Sequence, residues 1–101
     1  MDNVIPLRRP AAPEPEPLWR EAVGDQLREE RRVRGERIAD VAGRAGVSPQ
    51  YLSELERGLK DPSSEVLSAV AGALGLRVLD LTRRVGQRLA QPARGPVCLA
   101  A

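Results

Sequence analysis

Residues 37–58 read Arg37-Ile-Ala-Asp-Val-Ala-Gly-Arg-Ala-Gly46-Val-Ser48-Pro-Gln-Tyr-Leu-Ser-Glu-Leu-Glu-Arg-Gly58. Ile38, Val41, Ala42 and Ala45 recur at helical spacing and predict a short helix over 38–45. Gly46 then supplies a tight turn, because a positive φ costs glycine little. Ser48 is an N-cap residue and Pro49 a residue of preset φ at the first helical position, so a second helix starts here. It carries Leu52 and Leu55 inward and stops at Gly58. Ala42 stands where the two helices cross, where only a small residue fits, and Val47 and Leu52 wedge between them. Two helices joined steeply by so short a turn leave the second one exposed, placed to enter a major groove.

The flanks extend the same pattern. Upstream, Trp19, Val23 and Leu27 form a stripe on a helix of about Leu18 to Arg34, stopped by Gly35. Downstream, Asp61-Pro62-Ser63-Ser64-Glu65 offers cap candidates for a fourth helix bearing Val66, Leu67, Val70, Ala71 and Leu74, ended by Gly75. A fifth, from about Val78 to Leu89, repeats Val78, Leu81, Val85 and Leu89. Helices this short are unstable alone and must share one core. The expected fold is all-α, a five-helix domain over 18–90 between flexible N- and C-terminal tails. In the first tail, proline at alternate positions from Pro13 to Pro17 forbids a helix and favours an extended arm over 1–17, either a spacer or a peptide ligand. Residues 91–101, with Pro92, Gly95 and Pro96, read as the second tail.

Bulk properties narrow the function. A chain of 101 residues holds one modest domain. With Trp19 and Tyr51 its only aromatics, the core is built of Leu, Val, Ile and Ala, and a sheet is disfavoured. The net charge of +2 does not by itself point to nucleic acid. Arg83, Arg84, Arg88 and Arg94 concentrate the positive charge in residues 82–101, which carry no acid, so a DNA footprint depends on local placement of arginine. There is no histidine, and the single Cys98 has no internal partner, which argues against a zinc site, Cys/His catalysis and a disulfide framework. No nucleophile–base pair or phosphate-binding glycine loop is found, so neither an enzyme nor a cofactor is expected. The first residues lack a basic and then apolar leader pattern, and no apolar run approaches a membrane span; the expected location is the cytoplasm.

The string Ala45-Gly-Val-Ser-x-x-Tyr-Leu-Ser-x-Leu-Glu-Arg-Gly58 resembles the Cro/repressor-type, lambda-repressor-like (XRE) helix-turn-helix regulators, over about Leu27 to Leu81 with the motif at about 38–57. Within that family it is more similar to the Clp-gene regulators of actinobacteria, activators of protease and chaperone genes. Tyr51-Leu52-Ser53-Glu54, Glu56-Arg57-Gly58 and Ser63-Ser64-Glu65-Val66-Leu67 carry that likeness.

The resemblance implies base contacts from Pro49, Gln50 and Glu54, with Ser53 nearby. Chemistry agrees for Gln50, which suits adenine, and for Glu54, which suits cytosine N4, while Pro49 offers a thymine methyl only apolar contact. Arg37, Arg44, Ser48, Arg57 and Lys60 are placed for phosphates. Tyr51 either joins them through its hydroxyl or lies in the core. The family also often pairs an arginine on the first helix with the glutamate before the Arg-Gly end of the third. Here these are Arg31 and Glu56, and the alternative is two solvated charges. Two residues depart from the pattern. Ile38 replaces a phosphate-gripping Gln, so either Arg37 grips that phosphate instead or no side chain does. Glu30 takes a place usually apolar and weakens the packing expected along the first helix.

The fifth helix has two readings: Val78, Leu81, Val85 and Leu89 close the core, or they also form a two-fold dimer contact that calls for a palindromic operator. Arg83, Arg84 and Arg88 are then exposed, as solvated charges or near the partner or DNA backbone. The end Leu99-Ala100-Ala101 resembles a degradation tag read by Clp proteases; a plain small-residue end is the alternative. The favoured function is a transcription activator that binds double-stranded DNA as a homodimer, with RNA polymerase and Clp protease as further expected partners. An antitoxin-type repressor and a bridging module without DNA binding are the competing readings.

Overall fold

The computed structural model describes residues 18–91, and residues 1–17 and 92–101 fall outside that span. Five helices follow one another: α1 (Trp19–Arg34), α2 (Ile38–Ala45), α3 (Pro49–Glu56), α4 (Ser64–Ala73) and α5 (Val78–Ala90). No strand occurs among the described residues. The all-α expectation holds helix by helix.

Local chemistry sets the boundaries. The N–H of Leu18 donates to the Glu21 carboxylate at 3.0 Å, which opens α1. Ser63 Oγ accepts from the Val66 N–H at 3.1 Å and opens α4. The Arg77 N–H donates to Asp80 at 3.2 Å and opens α5. α2 ends where Gly46 takes a φ of 77°, which lets the Val47 N–H return to the Ala42 carbonyl at 3.1 Å.

The core gathers Val23 and Leu27 of α1, Val41 and Ala42 of α2, Leu52 and Leu55 of α3, Val70 and Ala71 of α4, Leu74, and Leu81 and Val85 of α5. α1 packs on α3 and α5, while α2 packs on α3 and α4. Ala42 is wholly buried at the α2 crossing. The α1 stripe is shorter than its sequence spacing suggests, since Trp19 stays 42% exposed and only Val23 and Leu27 enter the core.

Glu30 has a polar answer to the missing apolar residue. Its carboxylate accepts from Arg84 at 2.6 Å and from Gln26 at 2.7 Å, and Gln26 accepts from Arg88 at 2.6 Å. A polar ladder thus joins α1 to α5 beside the apolar core that Leu27, Leu81 and Val85 enter. Hydrogen bonding to Glu30 pushes the Arg84 guanidinium above its ordinary value.

A candidate nucleic-acid interface

Helix α3 is held at its base and free at its tip. The base carries Leu52, Leu55 and Glu56, all buried. Arg31 reaches from α1 and donates through Nε and Nη2 to both Glu56 oxygens, at 2.8 and 2.9 Å, and through Nη1 to the Glu36 carbonyl at 3.1 Å. This fork-to-fork pair is directional as well as ionic. The hydrogen bond to Glu56 pushes the Arg31 guanidinium above its ordinary value, against the opposing pull of burial.

Sequence reading missed the glycine beside that pair. Gly24 lies against the α3 backbone, and a Cβ there would sit 2.6 Å from the Glu56 carbonyl oxygen and closer still to that of Leu55. The signal was available: a glycine in mid-helix costs about 1 kcal/mol relative to alanine and calls for a packing reason. Gly58 adds a second close approach. Its φ is 75°, its Cβ position lies 3.0 Å from Glu21 Cγ, and its carbonyl accepts from Arg20 Nε at 3.1 Å.

The tip is built differently. Ser48 Oγ accepts from the Tyr51 N–H at 3.0 Å and caps α3. Pro49 and Gln50 are exposed, and Ser53 and Glu54 are half-buried beside them. Gln50 Nε2 donates to Glu54 Oε2 at 3.5 Å, while Lys60 Nζ stands 3.8 Å from Glu54 Oε1. Tyr51 is half-buried and packs against the core cluster.

The cations singled out for phosphates divide into two groups. Arg37 at the start of α2 is 83% exposed and leans on Asp40 at 3.4 Å; its hydrogen bonds hold the Asp40 carboxyl below the usual carboxylate range. Arg57 and Lys60 are exposed beyond the end of α3, and Ser48 is exposed at its start. Arg44, 44% exposed, is drawn toward the protein. Its guanidinium donates to the Ala73 carbonyl from Nε at 3.1 Å and Nη2 at 2.8 Å, and to Glu36 at 2.6 Å. Arg34 joins the same cluster through Glu36 at 2.9 Å and the Leu74 carbonyl at 3.3 Å. These two arginines satisfy the open carbonyls at the end of α4.

The α5 stripe divides as well. Leu81 and Val85 are fully buried in the chain's own core and present nothing to a second copy. Leu89 is half-buried, and the apolar surface left on α5 is Val78 and Leu79, at 38% and 54% exposure. The proposed tag Leu99-Ala100-Ala101 lies outside the described residues.

Residues 26–81 match the helix-turn-helix family model. This chain belongs to the helix-turn-helix family. The matched span takes in the Arg31–Glu56 pair and all of α2, α3 and α4 of this helix-turn-helix protein. It is 47% identical over 77 residues to the transcriptional regulator ClgR of Mycobacterium tuberculosis H37Rv, covering 76% of this chain and 69% of that protein. A crystal structure of the clp gene regulator ClgR from Corynebacterium glutamicum superposes with a TM-score of 0.72 at 47% identity, over 75% of this chain and 81% of that one. The HTH-type transcriptional regulator DdrOP3 of Deinococcus deserti is 48% identical over 61 residues, which is 60% of this chain and 47% of that protein. Among the described residues no helix is long and apolar enough to cross a membrane.

Proposed function

We propose that this protein is a sequence-specific transcription regulator that binds double-stranded DNA and activates Clp protease and chaperone genes. The observation that carries the reading is the exposed tip of α3, Pro49 and Gln50, on a helix whose other end is locked by Arg31, Glu56 and Gly24. A reading helix has to be presented rigidly, since its side chains must meet base edges at hydrogen-bonding distance. Pro49, Gln50 and Ser53 form the reading edge, and Glu54 stands beside Gln50 on the same face. Arg37, Ser48, Arg57 and Lys60 flank it and take phosphates, which fix register without reading sequence. Likeness to the Clp-gene regulator at 47% identity supports the choice of target genes.

The protein acts in the cytoplasm as a homodimer on a palindromic operator, with two α3 helices about one DNA turn, roughly 34–36 Å, apart. Val78, Leu79 and Leu89 supply the apolar part of that contact on α5, and activation requires a meeting with RNA polymerase at the promoter.

Selection of bound sites from random duplexes, followed by a salt titration on the enriched site, tests the proposal. The expected result is a palindrome with half-sites about ten base pairs apart. Affinity should fall as salt rises, with a log–log slope of about −0.9 for each phosphate neutralised. Failure to enrich any sequence, or binding indifferent to salt, would overturn it.

A further inference from the structure

The tip of α3 carries a chain of three side chains, Gln50, Glu54 and Lys60, in which both oxygens of Glu54 are engaged. Oε2 accepts from Gln50 Nε2 at 3.5 Å and Oε1 faces Lys60 Nζ at 3.8 Å. The Glu54 side chain is 23% exposed, whereas Gln50, one turn earlier on the helix, is open to solvent. We propose that Glu54 is a positioning residue that fixes the amide of Gln50 for adenine, and that it reads no base itself. This rests on the DNA-binding reading above and names the base pair that its reading helix selects.

The argument is one of donors and acceptors. An ionised carboxylate only accepts, so it tolerates the NH2 end of the Gln50 amide and repels the carbonyl end. Rotating the amide by half a turn would set Oε1 against Glu54 and is disfavoured. One N–H is therefore turned toward Glu54, and the outward edge keeps Oε1 and the second N–H. That acceptor–donor pair complements adenine N6 and N7 in the major groove. Guanine presents two acceptors there and would need Oε1 turned away. Lys60 neutralises the carboxylate locally, which lessens its repulsion of nearby phosphates. With one oxygen facing Gln50 and the other Lys60, Glu54 is poorly placed to accept from cytosine N4.

Site selection with the full-length wild type, E54A, Q50A and the double variant Q50A/E54A decides the matter. The expected wild-type site has adenine at one step of each half-site, and Q50A identifies that step by losing the preference. E54A should keep the palindrome, its spacing and its thermal melting while the adenine preference at that same step falls by about fivefold or more, within the range of one bidentate contact. In the Q50A background, removing Glu54 should change no base preference. An E54A variant that retains full adenine preference would overturn the proposal. So would loss of a cytosine preference at any step on removing Glu54, or a wild-type site without a Gln50-dependent adenine. If wild type enriches no sequence at all, the DNA-binding reading itself fails, and this proposal with it.

Discussion

The two ends of α3 obey opposite rules although they are separated by only two helical turns. At the base, shape and charge are over-determined: a bidentate ion pair, a glycine against backbone carbonyls and a left-handed glycine all converge within residues 55–58. At the tip, one serine cap secures the backbone, and the exposed Gln50 has Glu54 as its one side-chain hydrogen-bond partner. Under the proposed function, the contrast separates folding from reading. Residues that hold the helix can change little without loss of structure, whereas those at the tip can be exchanged to suit another base sequence. If α3 reads DNA as proposed, it can diverge in specificity while its scaffold stays constant.

The largest expected effect is at the base. E56A leaves the half-buried Arg31 guanidinium without its carboxylate, and stability should drop by about 3 kcal/mol, read as a lowered denaturant midpoint. The double variant R31M/E56M removes both charges and should lose much less than E56A alone, because no unpaired ion remains. Equal losses in the two proteins would show that the pair is not behaving as a buried one. Next is G24A. Its new methyl has backbone on the far side, so α1 and α3 must separate, at a cost of about 1–3 kcal/mol. The same substitution at Gly43, where a Cβ meets nothing, should be neutral or stabilising and serves as the control.

These two positions also show what the amino-acid sequence makes legible. All five helices are readable because each has both a periodic apolar face and its own punctuation, such as Ser48-Pro49 or Gly46. Apolar periodicity reports which face is buried but not where the stripe ends, so Trp19 reads as core although it is 42% exposed. For the same reason Leu81 and Val85 read equally well as a dimer seam. Arginine is the least legible residue. Arg37 and Arg44 look alike in sequence, yet the first stands out on the surface while the second caps α4, because a long side chain chooses its partner only after helices have packed. Gly24 and Glu30 both look like local defects on α1. Each is explained by a residue far along the chain, Leu55 for the one and Arg84 for the other.

A smaller effect is expected at the cap that joins the two regimes. S48A removes the acceptor for the Tyr51 N–H and should cost about 1 kcal/mol of stability. It should also weaken DNA binding, since the first turn of α3 carries the proposed reading edge. Acid provides a further probe, away from α3. Hydrogen bonds from Arg44 and then Arg34 hold the Glu36 carboxyl below its ordinary value in the folded protein. The stabilisation it brings is present above the unfolded carboxylate value, about pH 4.3 for a free glutamate, and is lost as pH falls through the lower folded value. Melting temperatures measured from neutral to acid pH should therefore decline less for E36Q than for wild type, with the two curves converging at the acid end.

The smallest structural effect belongs to Gln50 and is the most discriminating. Its side chain is exposed and its one protein partner is Glu54, so Q50A should alter folding stability by no more than about 0.5 kcal/mol. Alanine is also the better helix former, which offsets the missing hydrogen bond. On the operator the same change should cost about 1–3 kcal/mol of discrimination at one base step in each half-site, with the salt slope unchanged because no phosphate contact is removed. R57A should do the reverse, lowering affinity for all sequences and shrinking the slope by about one for each protomer. If Q50A instead lowered the melting temperature as E56A does, the tip would be part of the scaffold, and the division of α3 into a held end and a reading end would not stand.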